Sequence, residues 1–114
     1  MKSAKRNLTP VVQKMVRRIV DRFDPEKVYL FGSHGRGDAR PDSDVDLMVV
    51  MSVGKSGKRE TRIDIRVALH DIPVAKDVFV VTPEELIRYQ DVPGTLVQPA
   101  LREGGLLYDK ELPL

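Results

Sequence analysis

Hydrophobic positions in the first half of the chain change from helical to strand spacing. Over residues 9–23 the apolar side chains recur every three or four positions, which predicts an amphipathic helix with Thr9 as its N-cap. Two short apolar runs follow, at 28–31 and 45–51, and their β-forming residues predict strands. The polar stretch 34–43 between them predicts a loop, with room for one helical turn.

The second half of the chain continues to alternate between helix and strand patterns. The predicted elements are a helix, a strand, two short helices and a weak last strand, over residues 59–71, 74–81, 82–89, 95–104 and 106–108. In the first of these helices we expect Ile63, Val67 and Ala68 to face inward. Thr82 and Glu85 form a capping-box pattern at the start of the next helix.

This order of elements predicts an α/β (α+β) fold with a small mixed β-sheet flanked by helices, the covering helices lying on one side of the sheet. The sequence contains no repeat, no low-complexity tract and no interdomain linker. We therefore predict a single domain over residues 1–114, with 1–8 flexible.

Composition excludes several classes of function. There is no cysteine, so disulfides, thiolate metal sites and a cysteine nucleophile are ruled out. No apolar run approaches the roughly 18 residues that a membrane span needs, and no export signal is recognisable, so we predict a cytoplasmic protein. The net charge of +2 and the lack of an aromatic-rich basic surface disfavour nucleic-acid binding but do not exclude it. The basic first helix is interpreted as a solvated face.

Asp44 and Asp46 are the first candidates for chemistry. They lie two positions apart where the second strand begins, so their side chains should leave the same face, with Cα atoms roughly 7 Å apart. Carboxylates at that spacing can share one cation and each contribute to a second, as two-metal phosphoryl-transfer sites require. Oxygen ligands favour Mg²⁺ or Mn²⁺ over zinc. The alternative is that both acids are solvated residues at an exposed strand end.

Gly32 and Ser33 end the first strand and are candidates for phosphate binding. Glycine lets a phosphate approach the backbone, and successive N–H groups with a hydroxyl make an anion cradle. Arg36 is close enough in sequence to add a forked cation. Alone, such a pair is most often a simple turn. Beside the two acids, it would place phosphate donors and metal ligands at one sheet edge, as a nucleoside triphosphate requires.

Together these residues resemble the signature of the DNA polymerase β-like nucleotidyltransferase superfamily. More narrowly, they are similar to the minimal nucleotidyltransferases of prokaryotes, the MNT antitoxin-type proteins. The similarity rests on Gly32-Ser33, Arg36-Gly37 and Ser43-Asp44-Val45-Asp46. It continues through the third strand, 75–81, and the tail, 100–108, and so covers nearly the whole chain.

The resemblance implies roles for individual residues. Asp44 and Asp46 would bind both metal ions, while Asp77, in the third strand, would bind the catalytic metal and help to deprotonate the attacking hydroxyl. Gly32 and Ser33 would hold the β- and γ-phosphates of ATP. From the residues alone, Asp77 could also simply mark the start of a strand.

The function implied is metal-dependent transfer of a nucleoside monophosphate, AMP from ATP, to a hydroxyl acceptor. The resemblance names the acceptor as a HEPN-domain toxin protein, which would make this chain a protein adenylyltransferase with an antitoxin role. The alternative is a non-catalytic module that holds nucleotide and metal only to regulate a partner. A homodimer and a hetero-oligomer are both compatible with the sequence.

Overall fold

The computed structural model describes residues 9–32, 44–55 and 57–112, which form four helices and four strands. In chain order these elements are α1 (Pro10–Phe23), β1 (Lys27–Phe31), β2 (Val45–Val50), α2 (Gly57–Ala68), β3 (Lys76–Val81), α3 (Pro83–Tyr89), α4 (Val97–Glu103) and β4 (Gly105–Asp109). The predictions for residues 1–8 and for the loop 34–43 lie outside the described residues.

Helix α1 confirms the sequence prediction at its start and on its buried face. The hydroxyl of Thr9 accepts a hydrogen bond from the Val12 amide at 3.3 Å, and proline occupies the first turn, where its missing N–H costs nothing. Val12, Met15 and Ile19, spaced three and four residues apart, are buried. The apolar periodicity therefore fixes both the helix and the side that packs.

The four strands form one mixed sheet in the order β3-β2-β1-β4. Strand β1 is antiparallel to both β2 and β4, whereas β2 and β3 run parallel and are joined through α2. This arrangement confirms the small mixed sheet. It places the start of β2 beside the start of β3, with the end of β1 next to them.

Helices cover both faces of the sheet, so the expectation of a one-sided cover is wrong. Helices α1 and α2 pack on the face that carries Val45, Leu47 and Val49 of β2. The opposite face of β2, with Met48 and Val50, packs against residues of α3 and α4. The physical reason is the apolar run of β2, in which consecutive residues are hydrophobic, since such a run buries both sides of its strand.

Helix α2 turns a different face to the core from the one predicted. Ile65, Leu69 and Ile72 are fully or almost fully buried, whereas Ile63 is 45% exposed and Val67 is 64% exposed. The segment carries two apolar stripes at helical spacing, and the stripe that continues past the helix end into Leu69 and Ile72 has the larger apolar area to bury.

The last two helices are short; α3 begins as predicted, whereas α4 begins two residues later than the predicted start at 95. The Thr82 hydroxyl accepts from the Glu85 amide at 3.1 Å and the Glu85 carboxylate accepts from the Thr82 amide at 3.0 Å, so the capping box of α3 is complete. Helix α4 starts at Val97, and Pro99 falls in its first turn. Within the described ranges, no helix combines the length and apolar content that crossing a membrane needs.

Candidate active site at the start of strands β2 and β3

One row of residues crosses three neighbouring strands. Phe31, the last residue of β1, is opposite Asp46 on β2, and Asp46 is opposite Asp77 on β3. Paired residues of neighbouring strands lie about 4.8 Å apart and project from the same face. The register therefore brings the carboxylates of Asp46 and Asp77 together, on the face that also carries α3 and α4.

Gly32 lies directly against this acidic pair. Its φ of 70° is in the left-handed region that favours glycine, and a Cβ built at this position would overlap the carboxylate oxygen Oδ2 of Asp46. Glycine is thus required at position 32 for two reasons, the positive φ of the backbone and the close approach of the Asp46 carboxylate. This contact joins the predicted phosphate-binding segment to the predicted metal-binding acid.

The other predicted site residues are Asp44, which the structure describes, and two residues that lie outside the described ranges. Asp44 is exposed and precedes β2, whose first residue is Val45. Ser33 and Arg36, predicted to bind phosphate, lie outside the described residues. Their roles stay predictions.

The chemistry of the acidic pair fits a hard divalent cation. Asp46 and Asp77 offer only oxygen ligands, which suit Mg²⁺ or Mn²⁺, and two carboxylates on adjacent strands gain from a cation placed between them. Within the ranges that the structure describes, no three histidine or acidic side chains come together closely enough to form a metal centre by themselves. Asp46 and Asp77 are therefore the two acids that the sheet itself brings together. Asp44 lies next to them in the chain, just before β2 begins.

Aromatic residues flank the acids, and the sequence reasoning missed them. The rings of Phe31 and Phe79 are 5.7 Å apart and tilted by 53°. The guanidinium of Arg62 lies 5.4 Å above the ring of Phe79, and its Nε donates a hydrogen bond to the Val78 carbonyl at 2.8 Å. The sequence could have placed Phe79 beside Asp77, because the two residues lie two positions apart and therefore on the same face of β3.

A groove of 410 Å³ continues from Phe79 along β3 towards the N-terminal end of α2. Its lining includes Arg62 and Tyr89, together with the ion pair in which Lys58 Nζ donates to Glu85 Oε2 at 2.7 Å. The hydrogen bond from Lys58, followed by that from the Thr82 amide, holds the pKa of Glu85 below its usual value. Glu85 is thus charged at neutral pH and neutralises one cation of the groove.

The mixed sheet thus presents Gly32 and the paired acids Asp46 and Asp77 together at one end of its strands. The sequence model of the family described as Polymerase beta, Nucleotidyltransferase matches residues 13–112. The chain therefore belongs to this nucleotidyltransferase family, as the resemblance of its motif predicted.

Solved structures share the same fold. A protein from Sulfolobus solfataricus, provisionally described as a nucleotidyltransferase, is 24% identical with a TM-score of 0.62, covering 89% of this chain and 79% of its own. A toxin-antitoxin structure with AMP-PNP is 22% identical with a TM-score of 0.53, and a mutant of the toxin-antitoxin MntA-HpeT is 18% identical with a TM-score of 0.51. Each of these two covers 87% of this chain and 73% of the other. Among curated proteins, none matches the chain.

Proposed function

We propose that this protein transfers AMP from ATP, in a reaction that depends on Mg²⁺ or Mn²⁺, to a hydroxyl group of a partner protein. The observation that carries the proposal is the contact of Gly32 with Asp46 and the register of Asp46 with Asp77. It joins a turn suited to phosphate to a pair of acids suited to a divalent cation, within one family domain.

Each of the candidate site residues has a role in the proposed reaction. Asp46 and Asp77, with Asp44, would hold the metal ions, which when bound polarise the α-phosphate and offset the charge of departing pyrophosphate. Gly32, with Ser33, would present backbone and hydroxyl donors to the terminal phosphates, and Arg36 would add a cation. Asp77, on the side of Asp46 away from Gly32, would accept the proton of the attacking hydroxyl.

Two observations support the choice of partner. Two of the similar structures are toxin-antitoxin proteins, and one of them carries AMP-PNP, an analogue of ATP. The motif itself resembles antitoxin-type minimal nucleotidyltransferases. We propose accordingly that the acceptor is a HEPN-type toxin and that AMP transfer silences it.

Metal dependence of ATP binding tests the site before any acceptor is known. Calorimetry with ATP should give an affinity at least about tenfold higher in Mg²⁺ than in EDTA, because the triphosphate reaches the acids only through a cation. Asp46→Asn should remove most of this gain. Asp64→Asn, on the exposed part of α2, is the matched control and should keep it. Equal affinity with and without metal would contradict the two-metal site.

A further inference from the structure

Strand β3 is an edge strand of the sheet, and its outer side faces away from β2. No strand among the described residues pairs with that side. Val78 points its carbonyl outward, where Arg62 Nε reaches it at 2.8 Å, and alternation places the backbone of Val80 on the same side. An edge of this kind is a template for another extended chain.

The side of α2 that lies along this edge is basic. Arg59, Arg62 and Arg66 follow one another at helical spacing, and Lys76 of β3 continues the row. No acidic side chain among the described residues pairs with these three arginines. The single acid in the two grooves on this surface, Glu85, is held by Lys58. The edge therefore carries a net positive charge, although the whole chain is nearly neutral.

Apolar side chains lie beside the basic ones on this surface. Ile63, 45% exposed, and Val67, 64% exposed, line a groove of 380 Å³ beside Lys76, and the 410 Å³ groove beyond Arg62 contains the ring of Phe79. Exposed aliphatic side chains beside a strand edge that no other described strand pairs with suit a polypeptide, whereas a nucleic-acid surface would be more uniformly polar. A second copy of this chain would bring two arginine rows together, which like-charge repulsion disfavours.

We infer that the outer edge of β3, with the basic side of α2, docks an extended acidic segment of a partner protein. The segment would pair with the backbone at Val80, place acidic side chains on Arg59 and Arg66, and cover Ile63. Because Asp77 belongs to the same strand, a protein held here is next to the candidate site. Only the identification of this protein as the acceptor of AMP rests on the proposed function.

Synthetic peptides test the docking surface directly. A fluorescein-labelled peptide of alternating glutamate and valine should bind the full chain at low salt at least about fivefold more tightly than its lysine–valine counterpart. Methylating alternate backbone nitrogens of the acidic peptide should abolish binding, because edge pairing needs its N–H groups. In amide NMR spectra the acidic peptide should shift the signals of Val80 and Ile63.

Charge reversal supplies the matched variants. The double change Arg59→Glu and Arg66→Glu, at two exposed positions, should weaken the acidic peptide by about tenfold. Arg17→Glu with Arg22→Glu alters net charge equally on exposed positions of α1 and should change binding less than about twofold. Equal binding of both peptides, or equal effects of the two double variants, would overturn the inference.

Other occupants give distinct results. Displacement of the peptide by a single-stranded oligonucleotide of equal charge, with the same NMR shifts, would assign the surface to nucleic acid instead. A dimer in sedimentation that the Arg59→Glu and Arg66→Glu variant abolishes would assign it to a second copy. None of these readouts uses ATP, so a chain that binds the peptide but shows no metal-dependent ATP binding would retain the docking surface and lose the proposed function.

Discussion

At the scale of single residues, the contact between Gly32 and Asp46 is the most demanding feature of the site. The added methyl group of Gly32→Ala would push the Asp46 carboxylate away and would also force a φ of 70° on alanine. We expect a loss of unfolding free energy above the roughly 1–2 kcal/mol of the backbone term, together with at least about tenfold weaker metal-dependent ATP binding. Urea denaturation and calorimetry measure the two effects.

Gly94→Ala separates the backbone term from the contact. Gly94 has a φ of 87°, but a Cβ there meets no atom within 4 Å. This variant should lose about 1 kcal/mol of stability and keep its affinity for ATP. If both alanine variants bound ATP with metal as the wild type does, the proposed link between the glycine turn and the acid would be wrong.

The acids show how far residue patterns reach. The spacing of Asp44 and Asp46 identifies a candidate metal site from sequence, because two same-face carboxylates beside an apolar strand are uncommon. It does not identify their neighbour across the sheet. That Asp46 is opposite Asp77 depends on β2 and β3 being parallel and in register, which is a long-range property of the fold.

At the scale of elements, α2 offers a direct comparison of two isoleucines. Ile65 is fully buried in the core and Ile63 is 45% exposed, although they are two residues apart on one helix. Ile65→Ala should cost about 2–5 kcal/mol of unfolding free energy, because it removes buried area and leaves a cavity. Ile63→Ala should stay within about 0.5 kcal/mol. Urea denaturation measures both, and similar losses would show that the helix is rotated from its position here.

The ion pair between α2 and α3 gives a prediction about pH. Glu85→Gln keeps the N3 position of the capping box but loses the charge that Lys58 contacts. Because the pKa of Glu85 is lowered in the folded state, its stabilising effect is present above its unfolded pKa of about 4.3 and is lost as pH falls through the folded value. The wild type should therefore exceed the variant in stability near pH 7, and the difference should shrink as the pH falls below the unfolded pKa of Glu85.

Thermal or urea unfolding at low ionic strength between pH 3 and pH 7 checks this dependence. The Glu84→Gln variant, at the exposed neighbouring position, serves as the control and should show a smaller change with pH. A difference between wild type and Glu85→Gln that is constant over the whole range would mean that the charge of Glu85 contributes nothing.

Local signals explain why some elements could be predicted and others could not. Thr9 with its proline and Thr82 with Glu85 satisfy backbone groups within a few residues, so the sequence shows them directly. The inward face of α2 depends on which of two apolar stripes meets the sheet, and periodicity alone cannot choose between them. The apolar run 47–50 contained a signal for two covered faces, because alternation is absent there.

At the scale of the whole molecule, the sheet gathers residues that are distant in the chain. Gly32, which follows β1, meets Asp46 of β2 and Asp77 of β3 at one end of these strands, next to the groove along β3. Similar folds occur in toxin-antitoxin proteins, but the fold does not determine the acceptor. The proposed function is therefore a matter of chemistry: this arrangement would move the α-phosphoryl group with its nucleoside onto a partner.

The decisive experiment is a single-turnover reaction in Mg²⁺ with a co-expressed HEPN-type partner, using ATP labelled at either the α- or the γ-phosphate. We expect the α-label to become bound to the partner while the γ-label leaves in pyrophosphate. Asp77→Asn should bind ATP within several-fold of wild type yet transfer more than about 100-fold more slowly, because the loss falls on the chemical step. Transfer of the γ-label, or ATP binding without modification of any bound partner, would contradict nucleotidyl transfer, and the second result would favour a regulatory module.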